Sequence, residues 1–278
     1  MKQQDHGDDR FACFICRLNF SGLTGTKIIL WLLAITIVSF VIGFGILALS
    51  GGMAPGKDSP FLHTAALTPK TTSFPLGNAT AGKAEITLGA GELAIRDNAP
   101  AGTFVQATVF SSAKEWQPVV SQSMNGTTTI LAMTDRGYKG KEWVAVNSPN
   151  RWEILLSSQV PLDLSVAVGA GDSTLDLGPL NLNSLSVSNG AGETDVDLAG
   201  YHGMPFTGII HNGVGDLTIR VAKNSNTCII ISQGVGDVEN RGLVQHDEKY
   251  ITDYYNPSLP ATEILVEQGV GDIRVEAV

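Results

Sequence analysis

A four-residue phrase, Gly-(Ala/Val)-Gly-(Asp/Glu), recurs six times and narrows what this chain can fold into. It runs from Gly89 through Gly91 to Glu92, Gly169 through Gly171 to Asp172, Gly190 through Gly192 to Glu193, Gly213 through Gly215 to Asp216, Gly234 through Gly236 to Asp237, and Gly269 through Gly271 to Asp272. From the second copy to the fifth the spacings are 21, 23 and 21 residues. Self-similarity in that range marks a stacked repeat architecture.

Apolar positions line up around each phrase. Three residues before the first glycine stand Ile86, Val166, Val187, Ile210, Ile231 and Val266, β-branched residues that favour an extended chain with one buried face. The alternation extends the inward set to the residue between the glycines: Ala90, Ala170, Ala191, Val214, Val235 and Val270. Six residues after the first glycine the set is Ile95, Leu175, Val196, Ile219, Asn240 and Val275, so the inward phase has slipped by one. Such a slip needs an extra residue at a corner, where glycine tolerates the backbone angles. Each copy therefore predicts strand, glycine corner, strand. Coils of about 20 residues cannot bury an apolar face alone, so the expected fold is all-β, a β-solenoid whose neighbouring coils share one core.

Two polar columns follow from the same register. The residue before the first glycine is Leu88 or Val168 in two copies and Asn189, Asn212, Gln233 or Gln268 in the others. These amides either bond to one another as an internal ladder or face water at an open edge. The acidic residue after the second glycine stacks at the corner. Its carboxylates either bridge cations or accept hydrogen bonds from the corner's own backbone N–H groups, and the second reading needs no ligand. The tandem glycine-aspartate units of a calcium-binding β-roll have another spacing. No metal or cofactor is assigned.

Charge is uneven. Residues 161–278 hold 5 Lys/Arg against 16 Asp/Glu, and residues 51–160 hold 9 against 8. That argues against nucleic acid and anionic lipid as direct partners of the repeat array.

Along the chain, residues 1–27 form a polar tail, expected in the cytoplasm, with Cys13 and Cys16 as a lone C-x-x-C. Residues 28–50 carry no charge and are long enough to cross a hydrocarbon layer of about 30 Å as one helix. A slight basic excess ahead of that span puts the N-terminus inside and the rest outside the cytoplasm. Residues 51–82 suggest a flexible linker. Residues 83–160 hold the first phrase and several short β-prone runs, with Asn125-Gly126 as a hairpin signal; they predict an antiparallel β subdomain capping the array of residues 161–278. Asn78-Ala79-Thr80 and Asn125-Gly126-Thr127 match the glycosylation pattern. An insertion at residues 243–261 gathers His246, Tyr250, Asp253, Tyr254 and Tyr255, a candidate binding loop or a cover for the side of the array. The last phrase has no evident cap after it, so an open solenoid end is expected there, docking a protein partner or a second copy.

Nucleophile-elbow, zinc-protease and phosphate-loop motifs are missing from the sequence. His202, His211 and His246 make a hydrolytic site only by selection after the fact. A polysaccharide-active β-solenoid is the lesser alternative to a non-enzymatic protein.

The phrases PLDLSVAVGAGDSTLDL, NGAGETDVDL and NGVGDLTIR, after Arg151-Trp152-Glu153-Ile154, resemble the toast-rack domain over roughly residues 84–278. That family includes LiaF-type envelope-stress membrane proteins. The resemblance implies an extracytoplasmic, usually non-enzymatic domain in sensing or assembly at the cell envelope. Adhesin-head-like β-repeat domains are a neighbouring resemblance, implying a surface adhesin module.

Overall fold

The computed structural model describes residues 68–111, 117–135, 150–201 and 203–278. The expected membrane span at residues 28–50, the Cys13/Cys16 pair and His202 lie outside the described residues. Among the described residues every regular element is a β-strand.

Six strands precede a glycine corner: β2 (Ala81–Ala90), β8 (Leu162–Ala170), β10 (Leu182–Ala191), β12 (Thr207–Val214), β14 (Thr227–Val235) and β18 (Thr262–Val270). Six follow it: β3 (Glu92–Arg96), β9 (Ser173–Asp176), β11 (Thr194–Leu198), β13 (Leu217–Val221), β15 (Val238–Arg241) and β19 (Ile273–Ala277). The first six pair in parallel within a ten-stranded sheet and the second six within a nine-stranded sheet. Each corner carries the chain from one sheet to the other. Neither sheet closes into a barrel.

The predicted change of inward phase explains how both sheets feed one core. Ile86, Val166, Val187, Ile210, Ile231 and Val266 are buried from the first sheet, and Ile95, Leu175, Val196, Ile219 and Val275 from the second, in a single cluster. Each such side chain contributes about 1.5–3 kcal/mol by leaving water.

The slip falls one step earlier than the alternation suggests. The residue between the glycines points outward: Val214, Val270 and Val235 are 53%, 47% and 65% exposed. Burial resumes at Leu93, Ser173, Thr194, Leu217 and Ile273. The corner itself occupies the phase change, so its middle residue sits on the convex side.

Stack order also departs from sequence order. The corners run Gly89, Gly169, Gly190, Gly213, Gly269, Gly234, because β18 lies between β12 and β14, and β19 between β13 and β15. The expected open end at the last phrase is therefore corrected: that coil is interior, with neighbours on both faces. The fifth phrase supplies the end coil instead. Its inward position is Asn240, whose Nδ2 donates to the Leu243 carbonyl at 3.0 Å and whose Oδ1 accepts from the Leu243 N–H at 3.3 Å. An amide that turns the chain there suits a coil with no further neighbour, whereas Val275 suits one covered on both sides.

Each end is finished by other strands. At the end near Gly89, β6 (Thr128–Thr134) continues on β2 and β7 (Asn150–Leu156) on β3, both parallel. Antiparallel β5 (Val119–Asn125), β4 (Thr103–Ser111) and β1 (Thr68–Pro75) then complete the two sheets. The stretch read as a linker thus contains β1, and the strands after the first phrase extend the same two sheets. The Asn125-Gly126 hairpin joins β5 to β6 with Gly126 at φ 60°. At the other end, the hairpin of β16 (Val244–His246) and β17 (Lys249–Ile251) pairs antiparallel onto β14. Tyr250 and Leu243 close the core there, 5% and 8% exposed.

This order has a direct readout. Backbone amides of Ile273 and Val275 on β19 are expected to exchange with solvent more slowly than those of Val238 and Asn240 on β15, measured by native-state hydrogen exchange. The reverse ranking would put β19 at the edge and refute the stack order.

Candidate functional site

The corner is the site that the sequence singles out, and its geometry explains each residue type. A Cβ built on Gly169, Gly190, Gly213 or Gly269 would lie 2.4 Å from the carbonyl oxygen of the first glycine in the coil beneath. At the second glycine the clash is closer: 2.1 Å from Gly171 O for Gly192 and 2.1 Å from Gly192 O for Gly215. The second glycine also turns the chain at φ between 128° and 141°, which side chains rarely adopt. Backbone therefore rests on backbone along the whole corner. Below Gly91 the column ends on Asn150, whose Nδ2 donates to the Ala90 carbonyl at 2.8 Å and whose Oδ1 accepts from buried Trp152 Nε1 at 3.0 Å.

Three of the four amides before the glycines are buried, not at a wet edge, and Gln233 on the end coil is half-buried. Asn189, Asn212 and Gln268 are at most 4% exposed and share one register row with Gln233. One bond of an amide ladder is present, Asn212 Nδ2 to Gln268 Oε1 at 2.9 Å. Asn189 Nδ2 also donates to Thr194 Oγ1 at 2.9 Å, and the other bonds go to corner carbonyls. Asn189 Nδ2 bonds Gly171 O at 3.3 Å, Gln268 Nε2 bonds Gly215 O at 2.5 Å and Gln233 Nε2 bonds Gly271 O at 2.7 Å. The carbonyls of Gly171, Gly215 and Gly271 thus find a partner in the amide of the coil above, while Gly192 O takes Asn189 Nδ2 of its own coil at 3.2 Å.

The acidic column is exposed and engaged with backbone. Asp172 Oδ1 accepts from the Glu193 N–H at 2.9 Å, Asp216 Oδ1 from Asp272 N–H at 3.1 Å, and Asp272 Oδ1 from Asp237 N–H at 3.0 Å. These three of the six corner carboxylates thus hold the neighbouring coil rather than their own corner. Among the described residues no three His, Cys, Asp or Glu side chains converge to hold a metal ion.

Outside the corner runs a strip with three parts. Ala90, Ala170, Ala191, Val214, Val270 and Val235 stack in register as an apolar ridge. The side-chain-free first glycines lie next to it. Beyond them come Thr87, Ala167, Ser188, His211, Glu267 and Ser232, one register row. Along the middle of this row an open depression of about 580 Å³ is lined by Ser188, His211, Ser232 and Glu267 with the amides and first glycines beside them. His211 Nδ1 meets Glu267 Oε2 at 2.9 Å, both half-exposed. Sequence reasoning missed this pair. Both residues stand two before a first glycine, but only the out-of-order insertion of β18 makes them neighbours.

The insertion at residues 243–261 divides. Tyr250 faces the core, and partial desolvation pushes its hydroxyl above the ordinary tyrosine range. His246, Asp253 and Tyr254 are exposed, and Tyr255 is half-buried. Tyr255 and the buried Cys228 thiol share a hydrogen bond, and burial pushes the thiol's pKa up. His211 on β12 and His246 on β16 are three strands apart, separated by β18, β14 and β17, so the structure does not assemble them.

The outer face of the nine-stranded sheet is laced by ion pairs. Arg220 joins Asp195 at 2.6 Å and Glu276 at 3.4 Å, Arg241 joins Glu276 at 3.2 Å, and Arg274 joins Glu239 at 2.8 Å. Hydrogen bonds from Arg274 and Arg241 hold the Glu239 carboxyl below its ordinary pKa.

The amide row supports a quantitative expectation. Asn212→Leu and Gln268→Leu should each cost about 1–3 kcal/mol by leaving buried polar groups unpaired. In urea unfolding, the double variant should cost less than the sum by about 0.5 kcal/mol or more, since the two amides share a bond. Strict additivity would mean that the pair does not interact.

A family model described as the N-terminal domain of toast_rack, DUF2154, matches residues 64–220. No match to a curated protein was found. Among solved structures, a candidate cell adhesion protein from Clostridium sporogenes is 26% identical, with TM-score 0.71, covering 76% of this chain and 100% of its own. A candidate adhesin from Bacteroides fragilis is 12% identical with TM-score 0.27, covering 76% and 98%. One from Parabacteroides merdae is 11% identical with TM-score 0.24, covering 76% and 96%.

Proposed function

The chain belongs to the toast-rack family, defined through that N-terminal domain, and from this premise we propose that it is a non-enzymatic binding module, anchored to a membrane by one span and displayed outside the cytoplasm. The observation that carries the reading is the commitment of the recurring polar residues. Asp172, Asp216 and Asp272 hold backbone N–H groups, corner amides hold backbone carbonyls, and the glycines make room for the next coil. What remains on the outside is a strip with an apolar ridge beside a shallow depression, a form suited to recognition.

The role we assign is sensing or assembly at the cell envelope through a protein partner. The partner contact falls on the last coils of the stack, where Val214, Val270, Val235 and Tyr254 are exposed. The acidic excess of residues 161–278 favours a protein surface over nucleic acid.

A surface adhesin is the second reading. It is favoured by the Clostridium sporogenes protein, described as a cell adhesion candidate, whose whole length is covered at 26% identity.

Two experiments separate these statements. External protease added to intact cells should cleave the domain of residues 68–278, and protection until lysis would refute display outside the cytoplasm. In a strain lacking the chain, the sensing reading predicts an altered transcriptional response to a cell-wall inhibitor with unchanged attachment to surfaces. The adhesin reading predicts lost attachment with an unchanged response.

A further inference from the structure

The coil of residues 262–278 sits in a slot. It enters between β12/β13 and β14/β15 after those strands have already appeared in the sequence, and it pairs in parallel with both sides. Val266 lies opposite Ile210 on one flank and Ile231 on the other, and Gln268 opposite Asn212 and Gln233. On the nine-stranded sheet, Ile273 is flanked likewise by Leu217 and Val238.

The slot does not need this coil to come from the adjoining chain. Only residues 252–261 link β17 to β18, and Asp253, Tyr254 and residues 256–260, with Pro257 and Pro260, are exposed. That linker crosses the start of β14, about two strand spacings, or about 9.6 Å. It is far longer than the step requires. By contrast, residues 222–226 carry the chain from β13 past the inserted coil to β14, and residues 177–181, an equal number, carry it from β9 to the adjacent β10. The walls of the slot are thus joined by a connection no longer than one that links adjacent coils, and it bonds the inserted coil through Lys223 N–H to Val278 O and Thr262 N–H to Asn226 O.

The slot is also selective. A Cβ on Gly269 would lie 2.4 Å from Gly213 O and one on Gly271 2.2 Å from Gly215 O. An incoming strand pair must carry Gly-x-Gly at the corner, and an acid after it would meet the Asp237 N–H as Asp272 does. A second copy of this chain carries that segment.

We propose that residues 262–278 are an exchangeable donor, so that two copies of this chain join by each placing this coil in the other's slot. The contacts of β18 and β19 with both flanks are kept in the exchanged pair, and what is given up lies in the linker, chiefly its bonds to Asn226 and Cys228, which is the low-cost route to a homodimer. Opening both flanks of the coil at once is slow in the folded state, so exchange takes place as the chain folds.

The test uses the full chain lacking residues 253–261. Thr252 alone then bridges Ile251 to Thr262, a reach of about 7.6 Å, too short for the coil to return to its own slot. Light scattering after size exclusion should show a dimer or a larger closed ring with native β circular dichroism, and adding Gly269→Ala and Gly271→Ala should abolish it. A folded monomer would overturn the proposal. Should the shortened chain not fold, two differently tagged intact chains unfolded and refolded together decide it. Capture of one tag should bring down the other after joint refolding at high concentration and not after mixing of folded chains, and no co-capture under either condition would overturn the proposal.

Discussion

Coil-to-coil contact at the glycine corner is the constraint on which the rest of the structure depends. Strands in a sheet are held apart by their hydrogen bonds and have room for side chains above and below. A corner that bends from one sheet to the other loses that room, because the carbonyl of one coil points at the Cα of the next. Only a residue without Cβ fits wherever one coil rests on another, since each such corner is both floor and ceiling. The first glycine of the other five phrases is needed for this approach alone, while a Cβ on Gly89 would meet only the Asp135 carboxylate; at the second glycine, the approach and the positive φ act together.

The polar residues follow from the same bend. Turning the second glycine's carbonyl into the stack would leave an acceptor unpaired, at about 1–3 kcal/mol each. The buried Asn and Gln side chains supply donors there, and the exposed Asp side chains hold N–H groups on the outer side. Residues that look from sequence like a ligand column and an amide ladder are, in the folded chain, mainly brackets for backbone groups. This leaves the outer strip of alanine, valine, glycine and the His211–Glu267 pair as the part of the corner not consumed by folding.

Much of the fold was legible in the repeats, and the reasons for the rest are physical. Alternation is local, so the inward residues Ile86 to Val266 and the second set from Ile95 to Val275 could be assigned from periodicity. Glycine at two fixed places marked the corner. The choice of neighbours was not legible, because every coil carries the same register and fits beside any other; only Asn240 distinguishes the end coil, and it reads equally as an irregularity. The outward turn of Val214 and its equivalents was hidden because a corner interrupts the alternation that was used to place them. The destination of the amides was hidden because their partners are backbone carbonyls, which no residue type announces. The insertion at residues 243–261 split between core and surface for a related reason: Tyr250 is drawn in to close an end whose position depends on the stack order.

The most direct measurement of the central claim is the stability of Gly190→Ala. Gly190 has an ordinary backbone conformation, so replacing it by alanine would usually stabilise a protein by about 0.4–1 kcal/mol through the unfolded chain. Contact of coil on coil predicts the opposite sign, a loss of about 2 kcal/mol or more in urea unfolding, because the new Cβ would meet the Gly169 carbonyl oxygen. A neutral or stabilised variant that keeps its sheets would contradict the account.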